Sequence, residues 1–293
     1  MKTLVTGGLG FVGSNLVDIL INSGDEVFIL DDLSSESSFI ENQNEKANLI
    51  IGKVEDINKY FVGYKFDRIF HLAAKARIQP SFDNPTEYFS SNALGTSEVM
   101  DFARLSKSGI VVYATTSSKN HGDYISPYTY YKVVGEGILK TYANCFDMNC
   151  AMATFYNVYG PREPRIGEWA TVVAKFGRQF EEGDQLTVVG DGSQSRDFTH
   201  VEDICNGLIK ISEGNWRGQN FDLGRGNPVS ILDVAKMWTD NNLSKITFVP
   251  LRKNEGQHTE SEWMKTYSLI KWRAEKDLSD YIKSCKFWIY NNT

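Results

Sequence analysis

The sequence predicts an α/β fold, a doubly wound parallel sheet with a smaller mixed α/β unit behind it, and three observations carry that expectation. Short β-branched runs alternate with helical stretches through the first half of the chain, the pattern of a parallel sheet covered by helices on both faces. The 293 residues exceed an average domain of roughly 150. After Gly160 the alternation breaks into a Pro/Gly/charge-rich loop, GPREPRIGEW, which opens the second unit.

Taken in order, strands are expected at residues 2–6, 27–30, 48–51, 68–72, 110–115 and 151–155, each pair separated by enough chain for a right-handed helical crossover. Helices are expected at 10–23, 87–106 and 128–145. In the last of these, Val133, Ile138, Leu139 and Tyr142 recur near the helical period. Residues 33–46, rich in Ser, Glu and Asn, read as a surface connection. Beyond the loop come a helix at 170–181, a strand at 186–189 and the turn GDGS. A helix at 201–212 and a strand at 220–223 then return to the first sheet. The tail from Val229 mixes helices with a short strand near 247–249, and most of its tryptophans are assigned to packing.

Composition excludes several classes. With 41% hydrophobic and 23% charged residues, the chain is neither disordered nor collagen-like. Its 31 basic and 37 acidic residues give a net charge of −6 with no basic block, which argues against nucleic acid as a partner. The four cysteines are scattered and form no CxxC pair, so they read as reduced thiols, and no metal is expected. The N-terminus runs straight into a strand and a glycine turn, and no run of 18 apolar residues occurs. A cytoplasmic protein without a membrane partner is expected.

The sharpest motif is Thr6-Gly7-Gly8-Leu9-Gly10-Phe11-Val12-Gly13, placed directly after the first strand and opening the first helix. Gly7 allows the tight turn, Gly10 lets a pyrophosphate approach the helix N-terminus, and Gly13 permits close helix-to-strand packing. Asp31 and Asp32 close the second strand, where an acid accepts from a ribose 2′-hydroxyl. The sheet is therefore expected to be Rossmann-type. A 2′-phosphate would face two carboxylates, so NAD is expected rather than NADP. Asp56 and Ile57 are placed at the adenine, and Leu72, Ala73 and Ala74 beside the nicotinamide. His71 is read as structural.

A second motif is Tyr128-Thr129-Tyr130-Tyr131-Lys132, preceded by Ser126-Pro127. A Tyr and a Lys four apart share one helix face. An ammonium and a positive nicotinamide ring near a phenol lower its pKa from about 10 toward neutrality, so that tyrosinate acts as a base. The segment Ala114-Thr115-Thr116-Ser117-Ser118 ends a strand just upstream.

With these residues the chain resembles the extended short-chain dehydrogenase/reductase family, in its NAD-dependent nucleotide-sugar epimerase/dehydratase branch. The resemblance covers nearly the whole chain and includes Asn92-Ala93-Leu94-Gly95-Thr96, Tyr156-Asn157-Val158-Tyr159-Gly160-Pro161-Arg162, Gly190-Asp191-Gly192 and the run from Arg196 to Asp203. It implies that Ser117 orients the reacting sugar hydroxyl, Tyr128 moves its proton and Lys132 holds the nicotinamide ribose. It also implies cofactor contacts from Phe11, Val12, Asn92, Thr115 and Tyr156. Asn157 and Arg196 would grip the substrate diphosphate, Val189 would lie in the segment that meets the base, and Arg252 and Glu255 would meet the nucleotide and its ribose. Residues 1–156 and 199–224 would form the NAD-binding domain, and 157–198 with 225–293 the nucleotide-sugar domain. A homodimer through a four-helix bundle of helices 87–106 and 128–145 is implied as well.

Departures from the family pattern narrow the reaction. In 4,6-dehydratases and decarboxylating relatives an acid follows the Ser/Thr one or two positions later; Ser118 and Lys119 stand there. Hydride removal and return at C4 needs no such acid. The resemblance thus implies a 4-epimerase acting on a UDP-sugar, with UDP-glucose and UDP-galactose as the pair. The alternatives are a 4,6-dehydratase, a decarboxylase, a 4-keto-sugar reductase or a non-catalytic dinucleotide-binding regulator. The segment from Ser118 to Pro127 is shorter than the family's, His121 replaces a Tyr, Tyr131 a small residue and Thr154 an Arg, all of which bear on sugar specificity. Arg77, just after the fourth strand, is read as a surface charge, with a place facing the sugar or its phosphate as the alternative.

Overall fold

The structure, a computed structural model, describes residues 1–35, 38–167, 169–251 and 256–292. Its first elements are β1 (Lys2–Thr6), α1 (Phe11–Asn22), β2 (Glu26–Asp31), β3 (Asn48–Ile51), α2 (Ile57–Tyr60) and β4 (Arg68–His71). Three helical pieces follow, α3 (Gln79–Asp83), α4 (Pro85–Phe89) and α5 (Gly95–Leu105), then β5 (Ile110–Thr116), α6 (Pro127–Phe146) and β6 (Cys150–Phe155). The expected helix at 87–106 is α4 and α5 joined by a π-helical turn at Ser90–Leu94. Such a turn closes on i→i+5 backbone hydrogen bonds, which five residues of side-chain pattern do not specify.

The second half comprises β7 (Asn157–Tyr159), α7 (Val172–Glu181), β8 (Leu186–Val189), β9 (Ser195–Arg196), β10 (Phe198–His200), α8 (Val201–Ser212) and β11 (Arg217–Leu223). After it come β12 (Val229–Ser230), α9 (Ile231–Thr239), β13 (Ile246–Val249), α10 (Trp263–Ile270) and α11 (Leu278–Asn292).

Seven strands form one sheet in the order β11-β6-β5-β4-β1-β2-β3, every neighbouring pair parallel. The strand at the chain's return, β11, joins this sheet as the sequence suggested, and its partner there is β6. Both sheet faces are covered. On one, α1 and α8 bury Leu16, Val17, Leu20, Ile204 and Leu208 against Val5, Ile29 and Val112, with Trp272 in the same cluster. On the other, α5 and α6 bury Val99, Met100 and Leu139 against Leu4, Ile69 and Val111. A strand covered on both faces needs apolar residues at consecutive positions, and the wholly buried β5 sequence IVVYATT meets that requirement.

Strand order reverses between β1 and β4: from β1 the chain builds outward through β2 and β3, and from β4 it builds the other way. The crevice at the carboxyl ends of those two strands is where such sheets take ligands. A separate core lies outside the sheet, where α7, α9 and α11 pack Phe176, Val234, Trp238 and Ile282 against β8 and β13. Among the tail tryptophans, Trp238 and Trp272 are buried while Trp288 is exposed. No helix of the described residues is long and apolar enough to cross a membrane.

A buried ion pair ties together the amino ends of the central strands. Arg68 on β4 reaches Asp25 at 2.8 Å and also donates to Thr3 at 3.1 Å and Ser212 at 2.9 Å. Burial alone would raise the Asp25 pKa, but the Thr3 hydrogen bond and the Arg68 guanidinium prevail and hold it below the usual carboxylate range.

Candidate active site

A cleft of about 560 Å³ opens at the carboxyl ends of β1 and β4 and runs to the second core. Its first wall is the glycine turn. Gly7 has φ +71°, and a Cβ there would stand 2.7 Å from the Ala73 amide nitrogen, so a side chain is excluded by the β4 loop. A Cβ on Gly13 would stand 2.0 Å from the Gly7 carbonyl oxygen, which lets α1 start hard against the turn. Gly10 caps α1 without any side-chain bond, and the first intrahelical bond runs from the Ser14 amide to the Gly10 carbonyl at 2.9 Å. The amides of Phe11, Val12 and Gly13 precede that bond and are left pointing out of the helix end, suited to an anion.

The two acids after β2 divide their work. Asp31 is buried and accepts from the Leu9 amide at 3.0 Å and the Leu33 amide at 2.9 Å, bracing the glycine turn. Burial raises its pKa, and those backbone donors oppose the rise. Asp32 is exposed, accepts from the Ser34 amide at 3.0 Å and lines the cleft beside Asp31. The donor set suits NAD: open amides for a pyrophosphate, no Cβ at Gly10 to obstruct it, and carboxylates for ribose hydroxyls.

The second wall is built by β5 and α6. Thr116 ends β5 and caps the following turn, its hydroxyl accepting from the Ser118 amide at 3.1 Å, so that Ser117 turns into the cleft. Ser126 caps α6 by accepting from the Thr129 amide at 3.1 Å, and Pro127 occupies the first turn. This fixes the start of α6, putting Tyr128 in the first turn and Lys132 one turn later, both lining the cleft. Lys132 is buried and donates to the Ala114 carbonyl at 2.8 Å, with its ammonium 4.7 Å from the Tyr113 ring centre. Burial pushes its pKa down to about 7, against the opposing Glu136 carboxylate.

The electrostatics of Tyr128 differ from the expectation. Burial raises its pKa, and the groups that counter the rise are the Thr116 hydroxyl and the Arg77 guanidinium, not Lys132. The reason is geometric: Lys132 is drawn to the end of β5 by Ala114, while Arg77 enters from the opposite loop. Arg77, expected at the surface, lines the cleft and donates twice to the Trp169 carbonyl, from Nε at 3.2 Å and Nη2 at 2.7 Å.

Most of the expected site residues meet in this one cleft: Gly7, Gly10, Phe11, Val12, Gly13, Asp31, Asp32, Leu72, Ala73, Ala74, Thr115, Ser117, Tyr128, Lys132, Tyr156, Asn157, Val189 and Arg196. Three do not line it. Asn92 is buried and brackets Lys75, accepting from its amide at 2.8 Å and donating to its carbonyl at 2.9 Å, so it holds the β4 loop from behind. Ile57 is fully buried in the sheet core, and Asp56 pairs with Lys59 at 2.6 Å. The wall near β3 is made instead by Gly52 and Val54. Arg252 and Glu255 lie outside the described residues.

His71 is structural, as expected. It is bonded to Thr6 at 2.8 Å and Thr96 at 3.0 Å, and burial pushes it down to about 3. Sequence reading passed over Glu136, which accepts from Thr115 and Lys119, each at 2.5 Å. Its spacing of four from Lys132 was the available signal.

A glycine turn with open amides, acids at the end of β2 and a Tyr/Lys helix across one crevice together define a nicotinamide-dinucleotide enzyme of the Rossmann class. The chain belongs to the NAD-dependent epimerase/dehydratase family, whose sequence profile matches residues 3–224, and NAD is its cofactor. It is 36% identical over 252 residues to a UDP-glucose 4-epimerase of Mycolicibacterium smegmatis, covering 80% of each chain. It is 27% identical to UDP-glucuronic acid decarboxylase 4 of Arabidopsis thaliana, over 94% of this chain and 65% of that one. Among solved structures, UDP-glucose 4-epimerase from Thermotoga maritima with UDP-glucose superimposes with a TM-score of 0.93, at 26% identity and full coverage of both chains.

Proposed function

We propose that this protein is a nucleotide-sugar 4-epimerase that interconverts UDP-glucose and UDP-galactose. The observation that carries the reading is the cleft in which Ser117, Tyr128 and Lys132 face the glycine turn while Ser118 and Lys119 occupy the positions of a dehydratase acid. Lys119 is paired to Glu136 at 2.5 Å, so the nearest acid is already engaged by a cation and by Thr115.

In this reading Asn157 and Arg196 hold the diphosphate by charge-assisted hydrogen bonds. Ser117 orients the C4 hydroxyl and Tyr128 takes its proton. Lys132 keeps two N–H donors beyond the one given to Ala114, enough for the hydroxyls of a ribose. NAD, held by the open amides after the glycine turn and by Lys132, would supply the hydride acceptor and donor at C4. Tyr128 then gives its proton back to the C4 oxygen, and the product differs from the substrate only in the face that received hydrogen. Residues 1–156 and 199–224 hold NAD, and 157–198 with 225–293 hold the nucleotide sugar.

The same reading takes the enzyme as a dimer through α4, α5, the π-helical turn between them and α6, which leave Phe89, Leu94, Leu105, Tyr130 and Phe146 exposed. Light scattering is expected to give twice the monomer mass; a monomer would overturn the dimer.

The test of the activity is to incubate the protein with UDP-glucose and, separately, UDP-galactose, and follow both by NMR. Convergence on one mixture is expected. Tyr128→Phe, which keeps the ring, is expected to lower turnover by at least about 100-fold. Retained activity in that variant would overturn the assignment of the base.

A further inference from the structure

The loop after β4 brings into the cleft a guanidinium, Arg77, whose charge lowers the Tyr128 pKa and whose remaining hydrogen-bond donors have no role in cofactor binding or the proposed proton transfer. Arg77 has φ +80°, a left-handed conformation that costs an L-residue roughly 1 kcal/mol or more and persists only where surroundings impose it. Its guanidinium is clamped along one edge, where Nε and Nη2 both donate to the Trp169 carbonyl. A guanidinium has five N–H donors. Three therefore remain, and two of them form the Nη1/Nη2 edge, the spacing that matches a carboxylate side by side.

Among the described residues no carboxylate lies within salt-bridge distance of Arg77. The charged or phenolic groups that act on it are Tyr128, Glu163 and Tyr88. Glu163 is buried and accepts from the Thr171 hydroxyl, burial pushes its pKa up to about 7, and it makes no ion pair with Arg77. A half-buried guanidinium with open donors and no carboxylate at ion-pair distance gains when an anion arrives. Phosphates do not answer the need. The open amides for a pyrophosphate are at Phe11 and Val12, and the proposed grip on the other diphosphate is at Asn157 and Arg196. Arg77 stands instead beside Tyr128, at the end of the cleft where the sugar reacts.

We infer that Arg77 recognises a carboxylate carried on the hexose, so that a nucleoside-diphosphate uronic acid is a substrate of this site; the inference rests on the reading of the cleft as a nucleotide-sugar 4-epimerase. The carboxylate at C6 is close in the ring to the C4 hydroxyl that Tyr128 serves, and it takes no part in the reaction.

The experiment measures kcat/KM of the holoenzyme for UDP-glucuronate and for UDP-glucose, in the wild type, Arg77→Gln and Arg77→Lys. The wild type is expected to convert both sugars with a binding preference for UDP-glucuronate, and Arg77→Gln to lower the ratio of the two constants by about 100-fold, the worth of a charge-assisted hydrogen-bonded pair. Arg77→Lys, which keeps the charge without the planar fork, is expected to fall between. Calorimetric binding of the two sugars to the wild type gives the same preference should the variants not fold. Conversion of UDP-glucose with a ratio unmoved by either substitution overturns the inference and leaves the epimerase reading standing. Release of carbon dioxide from UDP-glucuronate supports the carboxylate site and overturns the epimerase reading. Failure of both sugars to bind or react overturns both.

Discussion

Replacing Gly13 by alanine separates the two demands on the glycine turn. The added methyl carbon would stand 2.0 Å from the Gly7 carbonyl oxygen and 2.8 Å from the Gly7 carbonyl carbon and the Gly8 Cα. Ordinary contact begins at 3.4 Å, so the turn must retreat by about 1.4 Å. The obstructing atoms are backbone and cannot rotate away. Alanine gains about 1 kcal/mol of helix propensity at this position in α1, against an overpacking cost of about 1–3 kcal/mol. The expected balance is a loss of up to about 2 kcal/mol, accompanied by a displacement of the amides that face the cofactor. A displacement of that size costs on the order of 100-fold in a positioned interaction. Gly10→Ala provides the contrast. Its methyl would meet the Gly7 oxygen at 3.4 Å and the Ser38 hydroxyl at 3.5 Å, with no overlap. Stability is expected to fall by less than about 1 kcal/mol, while NAD affinity falls because the methyl projects toward the pyrophosphate. Denaturant unfolding of nucleotide-free protein and calorimetric titration with NAD read the two quantities apart. Wild-type stability and wild-type NAD affinity in Gly13→Ala would refute the reasoning.

Further outcomes follow from the buried charges. Glu136→Gln removes the carboxylate that sustains the Lys132 ammonium, so the pH at which Lys132 loses its proton moves to lower pH and activity at pH 7 falls by roughly ten-fold; a pH–rate profile identical to wild type would count against the link, and Glu136→Asp should restore part of it. Arg68→Met leaves buried Asp25 with only the exposed N-terminal ammonium, at 3.3 Å, as a cation and is expected to cost about 3 kcal/mol at pH 7 by denaturant unfolding. Because Asp25 titrates below its unfolded value of about 3.9, its contribution is fully present above that pH and is lost as the pH falls through the folded value. The gap between wild type and Arg68→Met should therefore narrow in acid, and a gap that widens would contradict the pairing.

What the amino-acid sequence determined is whatever depends on neighbours along the chain. Strand and helix order, the glycine turn, the acids closing β2 and the Tyr/Lys face of α6 are all set by local periodicity, by glycine's lack of a Cβ and by the Ser126-Pro127 cap. These were legible because each is a property of fewer than ten consecutive residues. Tertiary structure decided what depends on residues far apart in sequence. Asn92 carries the expected motif, yet it turns to Lys75 because the π-helical turn brings its amide behind the β4 loop. Ile57 faces the core, since α2 presents its apolar side to α5. Arg77 became a cleft residue through a carbonyl 92 positions away, and it, with Thr116, takes the influence on Tyr128 that sequence reasoning had given to Lys132. Spacing along a helix says which side chains share a face; only packing says how much water each has lost and which charge stands nearest, and those two quantities set the chemistry of the cleft.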